Sequence, residues 1–211
     1  MSNSGKGSPG RGSWYQRVFA RAMNTLDQSE YEAHKRALLG DLHGTVLEIG
    51  PGTGVNLAYY PRDAHWIGLE PNPAMHPYIE RAASKLGRTV ELRQGQAERL
   101  DLPDESVDAV VSTLVMCSVD DQRRALQEIR RVLKPGGRYV FIEHVAAPRA
   151  SGLRRVQSFI KPVWQVFGDG CQPDRETWAT IEDAGFSSVQ LEHFRVATPI
   201  VAPHIAGVAV K

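Results

Sequence analysis

The sequence predicts an α/β domain whose core is a mostly parallel, doubly wound sheet. Two stretches carry that prediction. Val46–Asn56, read VLEIGPGTGVN, opens on the apolar residues Val46, Leu47 and Ile49, then turns through Gly50, Gly52 and Gly54. An apolar run ended by glycines and followed by Leu57-Ala58-Tyr59-Tyr60 reads as a buried strand, a tight loop and the first turn of a helix. Trp66–Leu69 is a second apolar run, and it ends in Glu70, twenty residues after Gly50. A strand, a glycine turn and a second strand tipped by an acid are the opening of a sheet of this class.

The chemistry of that opening is specific. Glycines let backbone approach a ligand where a Cβ would intrude. The free N–H groups at a helix start suit a polar or anionic group. Glu48 lies inside the first strand, where a carboxylate is costly unless partners are supplied. In nucleoside-binding folds an acid at the place of Glu70 accepts the ribose hydroxyls. The loop spacing is G-x-G-x-G, which differs from the G-x-G-x-x-G of dinucleotide sites.

The remaining elements follow in order. Residues 1–13 are Ser, Asn, Gly, Lys, Arg and Pro without apolar content after Met1, and read as a disordered tail. Trp14, Tyr15, Val18, Phe19, Ala22, Met23 and Leu26 have helical spacing; Ser29 is placed to cap a second helix that Gly40 stops near Leu39. Asn72-Pro73 turns the chain into a helix reaching about Leu86, and Thr89–Arg93 is a third strand. Ala109–Ser112 is the next strand. Asp120 and Asp121 open a helix whose Ala125, Ile129, Val132 and Leu133 face the sheet, with Arg123, Arg124, Arg130 and Arg131 on the solvated side. Lys134-Pro135-Gly136-Gly137 closes it and leads into the strand Tyr139–Ile142, which runs out at Glu143-His144-Val145. Leu153–Phe167 is a helix bent by Pro162, Arg175–Trp178 opens another, and Val189–Val196 and His204–Val210 are the last two strands.

Composition narrows the class. At 211 residues the chain is one domain with room for a core, and 42% hydrophobic with 23% charged residues is ordinary for a soluble globular protein. The net charge of +1, from 25 basic and 24 acidic side chains, calls for neither nucleic acid nor an anionic membrane as partner. No apolar stretch approaches the roughly 18 residues of a membrane span. Cys117 and Cys171 are too few for a secreted disulfide scaffold, which points to a reducing, cytoplasmic setting.

From Val46 to Gly137 the motifs resemble, in order, those of the class I S-adenosylmethionine-dependent methyltransferases. The carriers are Glu48–Gly54, Glu70, Gln96-Ala97-Glu98 where that family often reads D-A-E, Leu102–Asp108 and Lys134–Gly137. The resemblance implies a Rossmann-like, seven-stranded sheet, mostly parallel, with a C-terminal antiparallel hairpin. It implies a single domain over residues 14–211, its helical segment 14–40 serving either as a lid or as plain packing. S-adenosyl-L-methionine is the implied cofactor, contacted by Glu48, Gly50, Gly52, Gly54, Asn56, Glu70, Pro71, Met75, Gln96, Ala97, Glu98, Thr113 and Leu114. A Gln at 96 retains a carbonyl acceptor for the adenine amino group that the family's Asp accepts. Glu143-His144-Val145, Trp164–Cys171, Arg175–Trp178 and the closing P-H-I-x-G-x-A-V-K resemble the methyltransferase-like 7 proteins, small-molecule thiol S-methyltransferases. Those proteins carry an N-terminal hydrophobic membrane anchor, and this sequence has a hydrophilic stretch there, so the resemblance extends to substrate class and not to membrane location.

The implied acceptor is therefore a small thiol, with an oxygen or nitrogen acceptor, or binding of the cofactor without catalysis, as alternatives. A thiol with a pKa near ~8.5 is already a few per cent thiolate at neutral pH, whereas an alcohol needs a strong base. No His-plus-acid dyad is set by local spacing. At the carboxyl edge, His144 is either proton-handling or structural, and Asp169 either a base or a turn cap. Cys171 either lines the pocket with Ser118 or fills the core. Two cysteines and scattered histidines lack metal-ligand spacing, so no metal is expected. Monomer and homodimer both remain open.

Overall fold

The computed structural model describes residues 31–168 and 170–211; the predicted tail, the helix at Trp14–Leu26, the cap Ser29 and Asp169 lie outside them. The elements are α1 (Glu32–Leu39), β1 (Thr45–Ile49), β2 (His65–Leu69), α2 (His76–Lys85), β3 (Glu91–Arg93) and β4 (Val107–Thr113), followed by α3 (Gln122–Val132), β5 (Leu133–His144), α4 (Gly152–Phe167), α5 (Thr177–Glu182), β6 (Ser188–Arg195) and β7 (Pro203–Val210). Seven strands lie in the order β3-β2-β1-β4-β5-β7-β6. β1 pairs in parallel with both β2 and β4, and β7 runs antiparallel between β5 and β6. The order reverses between β1 and β4, so the loops leaving those two strands flank the point where open α/β sheets take ligands.

Strand alternation divides the core between two faces. Leu47 and Ile49 of β1, Val110 of β4 and Tyr139 and Phe141 of β5 pack beneath α3, through Ala125, Leu126, Ile129 and Val132. Val46, Ala109, Val111 and Val140 point the other way, against Leu39 of α1 and Ile79 and Ala83 of α2. The final hairpin puts Ile205 and Ala209 into the first cluster.

Several elements differ in extent from the sequence reading. After the glycine loop the chain makes only one 3-10 turn, Val55–Ala58, and breaks at Pro61 instead of building a helix. β5 begins at Leu133 and takes in Lys134–Gly137, with an irregular register opposite Val107–Ala109. Gly40 ends α1 in right-handed conformation, at φ −68°. Arg130 and Arg131 are not simply solvated. Arg131 donates to the carbonyls of Leu100 and Leu102 and to Asp104 and Glu128, while Arg130 donates to the carbonyl of Ala184. On α4, Phe159 is 86% exposed and forms an apolar stripe with Val156, Val163 and Val166. Among the described residues no helix is long and apolar enough to cross a membrane.

Candidate active site

β1 delivers the chain into the glycine loop, and Glu48 holds that loop from behind. Its Oε1 accepts from Asn56 Nδ2 at 2.8 Å; its Oε2 accepts from Tyr60 Oη and Trp66 Nε1, both at 2.9 Å. Burial pushes the Glu48 carboxyl above its ordinary pKa, against the pull of those three donors. With the side chain 1% exposed, a direct ligand contact is corrected to a supporting one. Asn56, also expected at the cofactor, bridges Glu48 to Thr113 Oγ1 at 3.1 Å and so ties β1 to the end of β4.

The loop itself faces outward. Gly52 has φ +56°, and a Cβ there would meet nothing within 4 Å, which leaves bare backbone for a ligand to approach. At Gly54 the reason for glycine is packing: a Cβ would stand 3.2 Å from Ile79 Cα of α2. Glu70, at the end of β2, accepts from Gly52 N and Asn72 N, each at 3.0 Å. These two backbone donors fix one carboxylate oxygen each, which holds the acid where nucleoside-binding folds place the acceptor for ribose hydroxyls. The open face of Gly52 and the acid beside it fit the nucleoside part of the implied cofactor.

The other expected contacts spread along the same edge. Met75 and Ala97 are buried, and Gln96 and Pro71 are exposed, with the Pro71 carbonyl 3.5 Å from Gln94 Nε2. Glu98 is spent on a helix: its Oε1 accepts from Asp120 N and Asp121 N at 2.8 and 3.2 Å, in front of α3, where Asp121 is itself the N-cap. Leu114 has φ +58° just past β4, and its N–H donates to the Ile142 carbonyl at 2.9 Å.

Glu143 organises the loop beyond Leu114, a role the sequence reading missed. Fully buried at the end of β5, it accepts from Ser112 Oγ at 2.7 Å and from the backbone N–H groups of Val115 and Met116 at 2.9 and 3.1 Å. Burial raises its pKa to about 7 despite these donors. The available signal was an acid inside an apolar strand, the same signal as at Glu48.

Beside it three segments meet. His144 from β5, Cys117 from the loop after β4 and Cys171 from the loop after α4 bring Nε2 and two Sγ atoms within 4.8 Å of one another, all buried. His144 Nε2 lies 3.0 Å from Cys171 Sγ, and Trp164 Nε1 donates to the same sulfur at 3.2 Å. His144 Nδ1 is buried with no partner among the described residues. Ser118 Oγ sits 3.6 Å from Cys117 Sγ, at the rim. Chain spacing scattered these groups and the fold gathers them, so the absence of a spacing motif was no argument about their chemistry. Asp169 is outside the described residues.

The reversed strand order, the bare glycine loop and the acid on β2 define the class, an α/β enzyme that takes a nucleoside-bearing cofactor at the switch point. Residues 47–141 match the methyltransferase domain family. Thiol S-methyltransferase TMT1B of Rattus norvegicus is 41% identical over 217 residues, covering 92% of this chain and 86% of that protein. Thiol S-methyltransferase TMT1A of Homo sapiens is 38% identical, over 79% of this chain and 70% of its own length. The crystal structure of a SAM-dependent methyltransferase from Aquifex aeolicus shares the fold at a TM-score of 0.62 and 20% identity, covering 96% of this chain and 99% of that one. The chain belongs to the S-adenosylmethionine-dependent methyltransferases, and S-adenosyl-L-methionine is its cofactor.

Proposed function

We propose that the enzyme methylates the sulfur of a small thiol. The observation that carries this reading is the similarity to TMT1B over 92% of the chain, which includes the C-terminal third where Cys171 and His144 meet. When bound, the cofactor supplies a methyl group activated on a sulfonium, so the protein's task is alignment and exclusion of water. Gly52 and Glu70 orient the nucleoside end; the edge at Leu114–Ser118 and His144 receives the acceptor. His144, whose Nδ1 has no partner among the described residues, holds or takes the acceptor's proton. A thiol asks little of that base, and an alcohol would ask much more.

Both cysteines are free, in keeping with a reducing, cytoplasmic setting. The segment 14–40 is proposed as the cover of the site. The exposed stripe Val156, Phe159, Val163 and Val166 on α4 is an apolar surface of the kind such a cover needs.

The test is a product assay with matched acceptors, a thiol and its alcohol and amine analogues, at saturating methyl donor. The thiol is expected to be methylated fastest. Faster methylation of either analogue overturns the sulfur reading, and cofactor binding without turnover of any acceptor overturns catalysis.

A further inference from the structure

We propose that Cys117 and Cys171 are an internal dithiol that opens small disulfides, with Cys171 attacking and Cys117 resolving. The two sulfurs belong to one cluster in which both Sγ atoms and the His144 ring nitrogen lie within 4.8 Å of one another. Their backbones are adjacent as well, because Gln172 N donates to the Cys117 carbonyl at 3.0 Å. Sulfurs this close, on segments already joined by a backbone hydrogen bond, are placed to form a disulfide with no loop having to travel. Neither cysteine is in a disulfide, and the chain contains no third.

The surroundings of the two sulfurs differ in a way that assigns their parts. Cys171 Sγ faces the ring nitrogens of Trp164 and His144, at 3.2 and 3.0 Å, the environment a thiolate needs. Cys117 Sγ faces the Leu114 carbonyl at 3.6 Å, an acceptor that favours the protonated thiol. The shifts agree: the Cys117 thiol, ahead of His144 and Trp164, draws Cys171 well below the ordinary thiol range, while the bond to Cys171 and then burial raise Cys117. The Arg175 guanidinium, bonded to the Met116 carbonyl at 2.9 Å, adds positive charge beside both. Access is over Gly170, which is exposed next to Cys171.

The step balances as an exchange. The Cys171 thiolate attacks one sulfur of a small disulfide; that S–S bond breaks and the first thiolate leaves, taking a proton from water. Cys117 then attacks the Cys171 sulfur of the mixed disulfide, and its proton passes to the second small thiolate as that S–S bond breaks. The second thiol leaves. The two cysteines are oxidised by two electrons and the small disulfide is reduced to two thiols. Those products are the acceptor class named above, but the dithiol rests on its own geometry and not on that reading.

The full chain, reduced, freed of small thiols and held with a chelator, is treated with 2-hydroxyethyl disulfide under native conditions and followed by intact mass. Wild type is expected to lose two hydrogens and retain no adduct. Cys117→Ser should hold a single hydroxyethylthio adduct, and Cys171→Ser should react at least about tenfold more slowly than Cys117→Ser. Calorimetry with the cofactor confirms that each variant is folded. A lasting adduct on wild type, equal rates for the two variants, or native chain left unmodified by reagent that oxidises it once denatured, overturns the proposal. None of these outcomes bears on which acceptor is methylated.

Discussion

The backbone N–H of Gly52 donates to Glu70 Oε2 at 3.0 Å, so the outward loop and the acid at the end of β2 are joined in one unit. Glu48 joins the same loop from the inside through Asn56. Two acids in neighbouring strands thus divide the work: one holds the loop in shape and the other presents it.

Glu70→Ala should weaken cofactor binding without unfolding the protein. It removes a charged acceptor for the ribose hydroxyls and releases Gly52 N, with hydrogen bonds to charged groups worth roughly 1.5–3 kcal/mol each. Calorimetry should show a loss of at least about tenfold in affinity. An unchanged affinity would remove Glu70 from the site.

Glu48→Ala should act on stability first. Asn56 Nδ2, Tyr60 Oη and Trp66 Nε1 would lose their acceptor inside the core. Stranded buried donors cost about 1–3 kcal/mol apiece, so with three of them a drop of at least about 3 kcal/mol is expected in urea denaturation of the cofactor-free protein. A loss below about 0.5 kcal/mol would mean that the loop is held by something else.

Glu143 gives the stability a pH dependence of known sign. Its folded pKa is raised from 4.5 to about 7, so between those values the folded state binds more protons than the unfolded one. Its contribution is fully present below the unfolded pKa and is lost as pH rises through the folded one. Glu143→Gln retains an acceptor for Val115 N and Met116 N and cannot ionise. Relative to wild type the variant should gain on the order of 1–3 kcal/mol between about pH 4.5 and 7.5. Parallel denaturation profiles across that range would refute the assignment.

His144→Ala should lower the rate more than it lowers cofactor affinity. A positioned proton acceptor contributes roughly 10²–10⁴-fold in general, and a thiol that ionises by itself should place this loss near the lower end. The rate should partly recover as pH rises through the acceptor's own thiol pKa, and acceptors of lower pKa should move that profile down. A loss that stays constant with pH would make His144 structural.

Much of this protein was legible from the chain alone because the signals are local. The glycine loop, Glu70 and the strand–helix alternation follow from spacing, which backbone sterics and hydrophobic periodicity translate directly into elements. Phe159 shows the limit: its helical spacing is real, yet spacing does not say which face a helix turns to the sheet, and α4 turns Phe159 outward. Glu98 shows another limit, since a loop acid near a cofactor motif is equally suited to cap the helix that packs beside it.

The sequence by itself determined the sheet class, the glycine loop and the cofactor family. Only the tertiary structure decided that Cys117, His144 and Cys171 share one buried cluster, because they arrive from three segments separated by 27 residues at each step. It also decided that Glu48 and Glu143, both acids inside apolar strands, are structural partners of loops. The physical reason is the same in each case. A buried polar group is stable only where donors and acceptors from distant segments converge on it, and that convergence is set by how the strands are ordered, which no local stretch encodes.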